Sequence, residues 1–230
     1  MSNIKEMKRM LIILLLSHFM AHGQTTGTLI YRDDFLKPFN SKLWIAEIEP
    51  KPESNSTVYT QNSALILDTR AGVTVWFNKI LQGNIRIEYD RKVLVDSGKN
   101  DRLSDCNVFW MAQPPVNLFS RNGKFESYDD LQLYYVGMGG NSNSTTRFRK
   151  YESVGKKPII KEYLDSAHLL KANRNYHFVI LVNKGATSYW VNGECYFNYT
   201  DPSPLLSGYF GFRSTWSRQA IRNFRVYKLD

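Results

Sequence analysis

The sequence predicts an all-β protein, a sandwich or jelly roll of two antiparallel sheets, and three observations carry that expectation. Apolar residues recur with period two in segment after segment, Gly- and Asn-rich turn signals separate the segments, and helical periodicity is weak after the first two dozen residues. A chain of 230 residues, 43% hydrophobic and 14% aromatic, is long enough for one sizeable core and too short for two comfortable ones. Its aromatic content and the lack of a long polar tract exclude wholesale disorder. Two cysteines, Cys106 and Cys195, exclude a disulfide-dense scaffold; they either pair or stay as free thiols.

At the start of the chain, Lys5, Lys8 and Arg9 precede an apolar run at 10–16 and the small-residue ending Ala21-His22-Gly23. That order marks a secretory signal peptide over residues 1–23, with 24–230 as a single exported domain, periplasmic or secreted. The apolar run is too short to span a bilayer, and no later stretch reaches about 18 apolar residues. Strands are expected at 64–68, 73–77, 85–89, 107–111, 131–136 and 147–149. The last third continues with strands at 176–182, 188–191, 208–213 and 224–229. Asn183-Lys184-Gly185 and Asn192-Gly193 supply the positive φ that tight turns require. Residues 161–170 suit a short turn or helix, and 49–57, 96–104 and 137–145 read as loops.

Lys and Arg number 30 against 21 Asp and Glu, a net charge of +9. Loss of residues 1–23 removes Lys5, Lys8, Arg9 and Glu6, which leaves +7. A local basic concentration remains at Arg147, Arg149, Lys150, Lys156, Lys157 and Lys161. No nucleic-acid module accompanies it, so attraction for an acidic or sulfated glycan is the expectation. The scattered His and Cys form no metal-ligand spacing, and no nucleophile elbow, phosphate loop or dinucleotide fingerprint occurs.

Three pieces resemble the concanavalin A-like lectin and glucanase jelly rolls: the opening Asp33-Asp34-Phe35 with Trp44, the Asn192-Gly193 hairpin, and the closing run Gly208-Tyr209-Phe210-Gly211-Phe212-Arg213. The resemblance covers nearly the whole exported chain and implies two antiparallel sheets with a concave cleft. Laminarinase- and agarase-type hydrolases of that fold carry paired acids on a cleft strand followed by Tyr, Val and Gly. Here the similar stretch reads Asp130-Leu131-Gln132-Leu133-Tyr134, then Tyr135-Val136-Gly137. Gln132 and Tyr134 stand where two of the acids would be, so the resemblance does not extend to retaining hydrolysis, which needs two carboxyl groups. The longer run at 134–149 resembles a secreted bacterial family of polysaccharide-utilisation loci. That resemblance implies a dehydratase removing water from the terminal uronic acid of ulvan oligosaccharides.

Alternation along 130–136 places Asp130, Gln132 and Tyr134 on one face, expected to line the cleft, and Leu131, Leu133 and Tyr135 on the other. On the next strand Thr145, Arg147 and Arg149 share a face opposite Phe148. This grouping suits β-elimination on a uronate: Tyr134 would move the proton, and Arg147 would stabilise charge growing on the carboxylate. Gln132, Arg149, Asn141, Asn143, Asn107, Asp130, Arg213 and Trp216 are the expected substrate contacts, with Trp216 stacking on a sugar ring. The same residues also fit a solvated sheet face and turn formers. The expected activity is a carbon–oxygen lyase, preferably a dehydratase. A chain-cleaving polysaccharide lyase and a noncatalytic carbohydrate-binding jelly roll are the alternatives. A hydrolase would have to use Glu126 and Asp129. No cofactor is expected beyond a structural calcium, at Asp34 or Asp230, by analogy with the fold. The expected partner is an acidic or sulfated oligosaccharide bound by a monomer.

Overall fold

A computed structural model describes residues 27–53, 55–113 and 118–230, so the segment assigned to export lies outside the described residues. Among the described residues, fifteen strands form two antiparallel sheets. The front sheet has the order β10-β9-β8-β7-β14-β5-β2, and the back sheet β13-β12-β11-β6-β15-β4-β3, with β1 also paired to β15. In the front sheet these are β2 (Trp44–Ile48), β5 (Val73–Gln82), β7 (Cys106–Gln113), β8 (Gln132–Gly139), β9 (Thr145–Glu152), β10 (Ile159–Tyr163) and β14 (Ser207–Ser214). The back sheet holds β1 (Gly27–Asp33), β3 (Thr57–Gln61), β4 (Ala64–Thr69), β6 (Ile85–Leu94) and β11 (Tyr176–Asn183). Its remaining strands are β12 (Ala186–Val191), β13 (Glu194–Thr200) and β15 (Ser217–Leu229). The stretch expected as a turn or helix at 161–170 instead begins within β10 and continues into a single 3-10 turn, Ser166–His168.

Aromatic side chains from both sheets fill the space between them. Trp44 stacks on Phe212 at 5.7 Å and meets Phe224 edge-on at 4.9 Å, while Trp110 stacks on Phe148 at 5.8 Å. Each such pair adds about 0.5–1.5 kcal/mol to what burial alone provides. Cys106 is buried in this core and Cys195 lies exposed on β13, so both are free thiols.

The two sheets differ in how their outer faces are treated. In β6 every second residue is buried, the signature of one face in the core and one facing outward. In β7 and β8 nearly every residue is buried, because a further segment, 118–131, lies across the outer face of the front sheet. Tyr128 and Leu131 from that segment join Trp76, Phe109, Leu133, Tyr135 and Tyr151 in a second apolar cluster. Glu47 fastens it: one carboxylate oxygen accepts from Trp76 Nε1 at 2.7 Å and Tyr128 OH at 2.9 Å, the other from the Arg121 backbone N–H at 2.7 Å. The segment lies so close that a Cβ on Gly72 would overlap the carbonyl oxygen of Gly123.

Candidate functional site

Strand register sets residues of the outer face of the front sheet in cross-strand rows. One row runs Arg147, Gly137, Asn107, Arg213, Thr74, Glu47, from β9 to β2. The row beside it runs Arg149, Tyr135, Phe109, Gly211, Trp76, Ile45. The segment 118–131 covers the Glu47 end of both rows. The uncovered end forms a pocket of about 170 Å³, lined by Asn107, Tyr135, Gly137, Arg147 and Arg149, with Phe125 as a wall. Asp105, Gly140, Asn141, Thr145 and Thr215 close its far side.

Gly137 makes the centre of this pocket. A Cβ there would stand 2.8 Å from Cζ of Tyr135 and nearer still to the phenol oxygen. The phenol therefore reclines over the glycine, which brings its hydroxyl between Asn107 on one neighbouring strand and Arg147 on the other. Burial, with the nearby Asp105 charge, pushes the Tyr135 phenol above its ordinary pKa, against the pull of Arg213, Arg149 and Arg147. The phenol is therefore a proton donor at neutral pH.

The two arginines are held differently. Arg147 pairs with Glu162 on β10. Arg149 donates to the Lys157 carbonyl at 2.6 Å, and among the described residues no carboxylate pairs with it. Arg213 is fully buried beneath Phe125 and Tyr128, each ring 5.0 Å from its guanidinium carbon. It donates to Thr74 Oγ1 and the Gly123 carbonyl, while its Nε and Nη2 have no partner. Asn107 is likewise buried, and its Oδ1 is unpartnered. The pocket floor is thus polar, net positive and incompletely satisfied.

Several expected site residues are placed elsewhere. Tyr134 does not face the cleft; it is 1% exposed in the core between the sheets, and its hydroxyl donates to Asp201 at 2.5 Å. The reason is that β8 is buried on both faces, so polar and apolar residues do not mark its two sides. Asp130 lies before the strand and is gripped by Arg121 through two 2.7 Å bonds. Gln132 is exposed at the start of β8, beside Lys150 and Ser203, away from the pocket. Asn143 binds the backbone of Leu170 through both amide atoms, at 2.9 and 3.0 Å. Trp216 has Arg70 on it at 4.9 Å and Arg102 at 5.0 Å and is not among the residues that line the pocket. Arg213 is too deeply buried to touch a ligand in the pocket.

Arg147, Arg149, Asn107 and Asn141 do line the pocket. Within the basic concentration, Lys150 belongs to the core and is paired with Asp201, while Lys157 is paired with Asp129, so the surface charge there is smaller than the sequence implies. Asp34 is engaged by Arg32 and Arg225, which leaves it poorly placed to bind a cation. Sequence reasoning missed Tyr135 and Gly137, although both stand in the Tyr-Val-Gly run that drew attention to the strand.

The architecture is that of jelly-roll proteins. A Bacillus subtilis protein with a galectin-like fold superposes with a TM-score of 0.71 at 18% identity, over 88% of this chain and 96% of its own. The endo-β-1,3-glucanase of Pyrococcus furiosus gives 0.61 at 11% identity, over 88% and 94% of the two chains. The carbohydrate-binding module CBM66 of Bacillus subtilis gives 0.57 at 12%, over 81% and 96%. At such identities the likeness is one of fold. No curated protein matches the sequence. Residues 67–224, more than half of the sequence, match the family described as a domain of unknown function, DUF6250, and the chain belongs to that family.

Proposed function

We propose that the protein is an exported carbohydrate-active carbon–oxygen lyase, a dehydratase acting on the terminal uronic acid of acidic or sulfated oligosaccharides such as those of ulvan. The observation that carries this reading is the gathering of Tyr135, Arg149, Arg147 and Asn107 around Gly137 in one pocket. Arg149, with no acid opposite it, suits the bidentate grip of a uronate carboxylate. Arg147 and Asn107 then stabilise the charge that builds on that carboxylate when the α proton leaves. Tyr135, protonated at neutral pH, gives its proton to the departing oxygen.

Two further features support the reading. The pocket lining contains one carboxylate, Asp105, whereas retaining hydrolysis requires two flanking the glycosidic bond. Glu126 is exposed and Asp129 is tied to Lys157, so neither completes such a pair. The segment 118–131 also blocks the sheet on one side of the pocket, which favours a chain end over a chain passing through. The jelly-roll relatives that act on or bind carbohydrate are consistent with a sugar ligand.

The test is incubation with uronic-acid oligosaccharides, followed by ultraviolet absorbance and product mass. Loss of one water with a new conjugated double bond is the expected result. Chain cleavage with that bond would make the protein a polysaccharide lyase, and binding without product would make it a binding module. Tyr135→Phe should lower turnover by about 10²–10⁴-fold, the usual contribution of a positioned proton donor. Tyr134→Phe should lower stability and leave turnover in place. Unchanged turnover in Tyr135→Phe would reject the phenol as donor.

A further inference from the structure

Asp105 is a residue that the placement of β7 turns toward the pocket just before the strand begins. Its backbone N–H donates to the Gly139 carbonyl at 3.2 Å, which sets it across from the end of β8, and Gly140 bridges to Thr145 beside it. From Asn107 to Asp105 is two residues, roughly 7 Å of extended chain. The carboxylate and the Tyr135 hydroxyl, which lies above Gly137, therefore face the same pocket. Asp105 also adopts φ of 59°, a left-handed conformation that costs a non-glycine residue energy and that clusters at functional sites. Among the described residues that line the pocket, no other carries a carboxylate, and none is a histidine or lysine.

We propose that Asp105 is the base that removes the α proton, opposite Tyr135 as the acid. The proposal rests on the eliminating lyase reading given above. The carbon–hydrogen bond next to the uronate carboxylate breaks, and its proton passes to the Asp105 carboxylate. The released electron pair forms the carbon–carbon double bond, and the neighbouring carbon–oxygen bond breaks with its electrons on oxygen. That oxygen takes the phenol proton from Tyr135 and departs as water. Return of the proton from Asp105 to the phenolate restores both groups.

The surroundings of Asp105 suit this work. Burial raises its pKa above the ordinary range, while Arg102 at 3.8 Å, the Ser104 hydroxyl, the Trp216 backbone N–H and Arg213 pull it down. A carboxylate left above its usual value is a stronger base than an ordinary one. Tyr135, Arg147 and Arg149 line the same pocket, and Arg102, Arg213 and Cys106 also interact electrostatically with Asp105.

Asp105→Asn is a clean test because asparagine tolerates the left-handed backbone better than most residues and keeps an acceptor for the Trp216 N–H. Wild type, Asp105→Asn and Asp105→Glu are compared for unsaturated product from uronate oligosaccharides, for oligosaccharide affinity by calorimetry, and for the pH profile. Asp105→Asn should lose about 10²–10⁴-fold in kcat and stay within about threefold of wild type in affinity. Asp105→Glu should recover part of that loss. The rise of kcat/KM on the acid side, set by Asp105 losing its proton, should be missing from the residual activity of Asp105→Asn. Wild-type product formation with Asp105→Asn turning over within a few fold would overturn Asp105 as the base and leave the lyase reading standing. Equal losses of affinity and turnover, without recovery in Asp105→Glu, would reduce Asp105 to a structural residue. Absence of unsaturated product from wild type would overturn both.

Discussion

At Gly137 a single hydrogen in place of a methyl group decides where the Tyr135 ring lies. The ring occupies the space a Cβ would take, so Gly137→Ala must move the phenol away from Asn107 and Arg147. Both neighbouring strands are fixed by their pairing, and overpacking of this kind costs about 1–3 kcal/mol. The expected outcome is a folded variant with lower denaturant stability and at least a tenfold loss of turnover. Because the closest atom is the phenol oxygen, the two sites are coupled. Gly137→Ala should cost less stability in a Tyr135→Phe background than in wild type, read as a double-mutant cycle in urea. Additive costs would show that the ring and the glycine do not constrain each other. Tyr135 was within reach of sequence reasoning, since it belongs to the Tyr-Val-Gly run. What misplaced it was the rule that a strand shows its polar side to the cleft. That rule presumes one solvated face, and β8 has none.

The element that removes the solvated face is the segment 118–131. Nothing in its composition announces a covering strap: it holds two short 3-10 turns, Leu118–Ser120 and Phe125–Tyr128, and its docking partner Glu47 lies more than seventy residues earlier. Long-range pairing of this kind has no local periodicity to betray it, whereas the strands it covers are legible from theirs. Back-sheet strands such as β6, with one face outward, follow alternation closely, so the sheets were readable and the cover was not. Glu47 accepts two hydrogen bonds from the cover, the Arg121 N–H and the Tyr128 hydroxyl, and a third from Trp76 of β5. Glu47→Ala leaves Trp76 Nε1, Tyr128 OH and the Arg121 N–H to find other partners, at about 1–3 kcal/mol for each buried donor left unsatisfied. Amide hydrogen exchange within 118–131 should accelerate in that variant while exchange in β6 and β11 stays slow. Equal acceleration throughout would mean that the segment and the sandwich open together.

For the whole molecule, the question is what joins the two sheets where β13 of the back sheet crosses to β14 of the front. Asp201 lies in that crossing with its side chain fully buried, accepting from Lys150 Nζ at 2.8 Å and from Tyr134 OH at 2.5 Å. Tyr134, expected from sequence to be the reactive group, is therefore part of the link between layers, and its neighbour Lys150 spends its charge there instead of on a glycan. Net charge indicated an anionic partner, but it could not separate a buried ion pair from a basic surface, because that depends on which face of β9 each residue takes. Burial alone would raise the pKa of Asp201. The bonds from Lys150, Tyr134 and the Ser203 N–H outweigh it and hold the carboxyl below its ordinary range. A group held low stabilises the fold above its unfolded value of about 3.9, and that stability disappears as pH falls through the lower folded value. Asp34, Glu49 and Asp101 are held low as well and add to the same acid-side loss, while Glu47 and Asp105, raised by burial, act in the opposite sense. Asp201→Asn removes the charge and leaves Lys150 without its ion-pair partner, a change that costs about 3–5 kcal/mol for a buried pair at neutral pH. Thermal melts of wild type and Asp201→Asn should therefore differ most near pH 7; the gap should begin to narrow below about 4, where the unfolded carboxyl takes up its proton, and close as pH falls through the lower folded value of Asp201. A gap that stays constant from pH 7 to the lowest pH at which both remain folded would show that Asp201 stabilises the crossing through its hydrogen bonds and not through its charge.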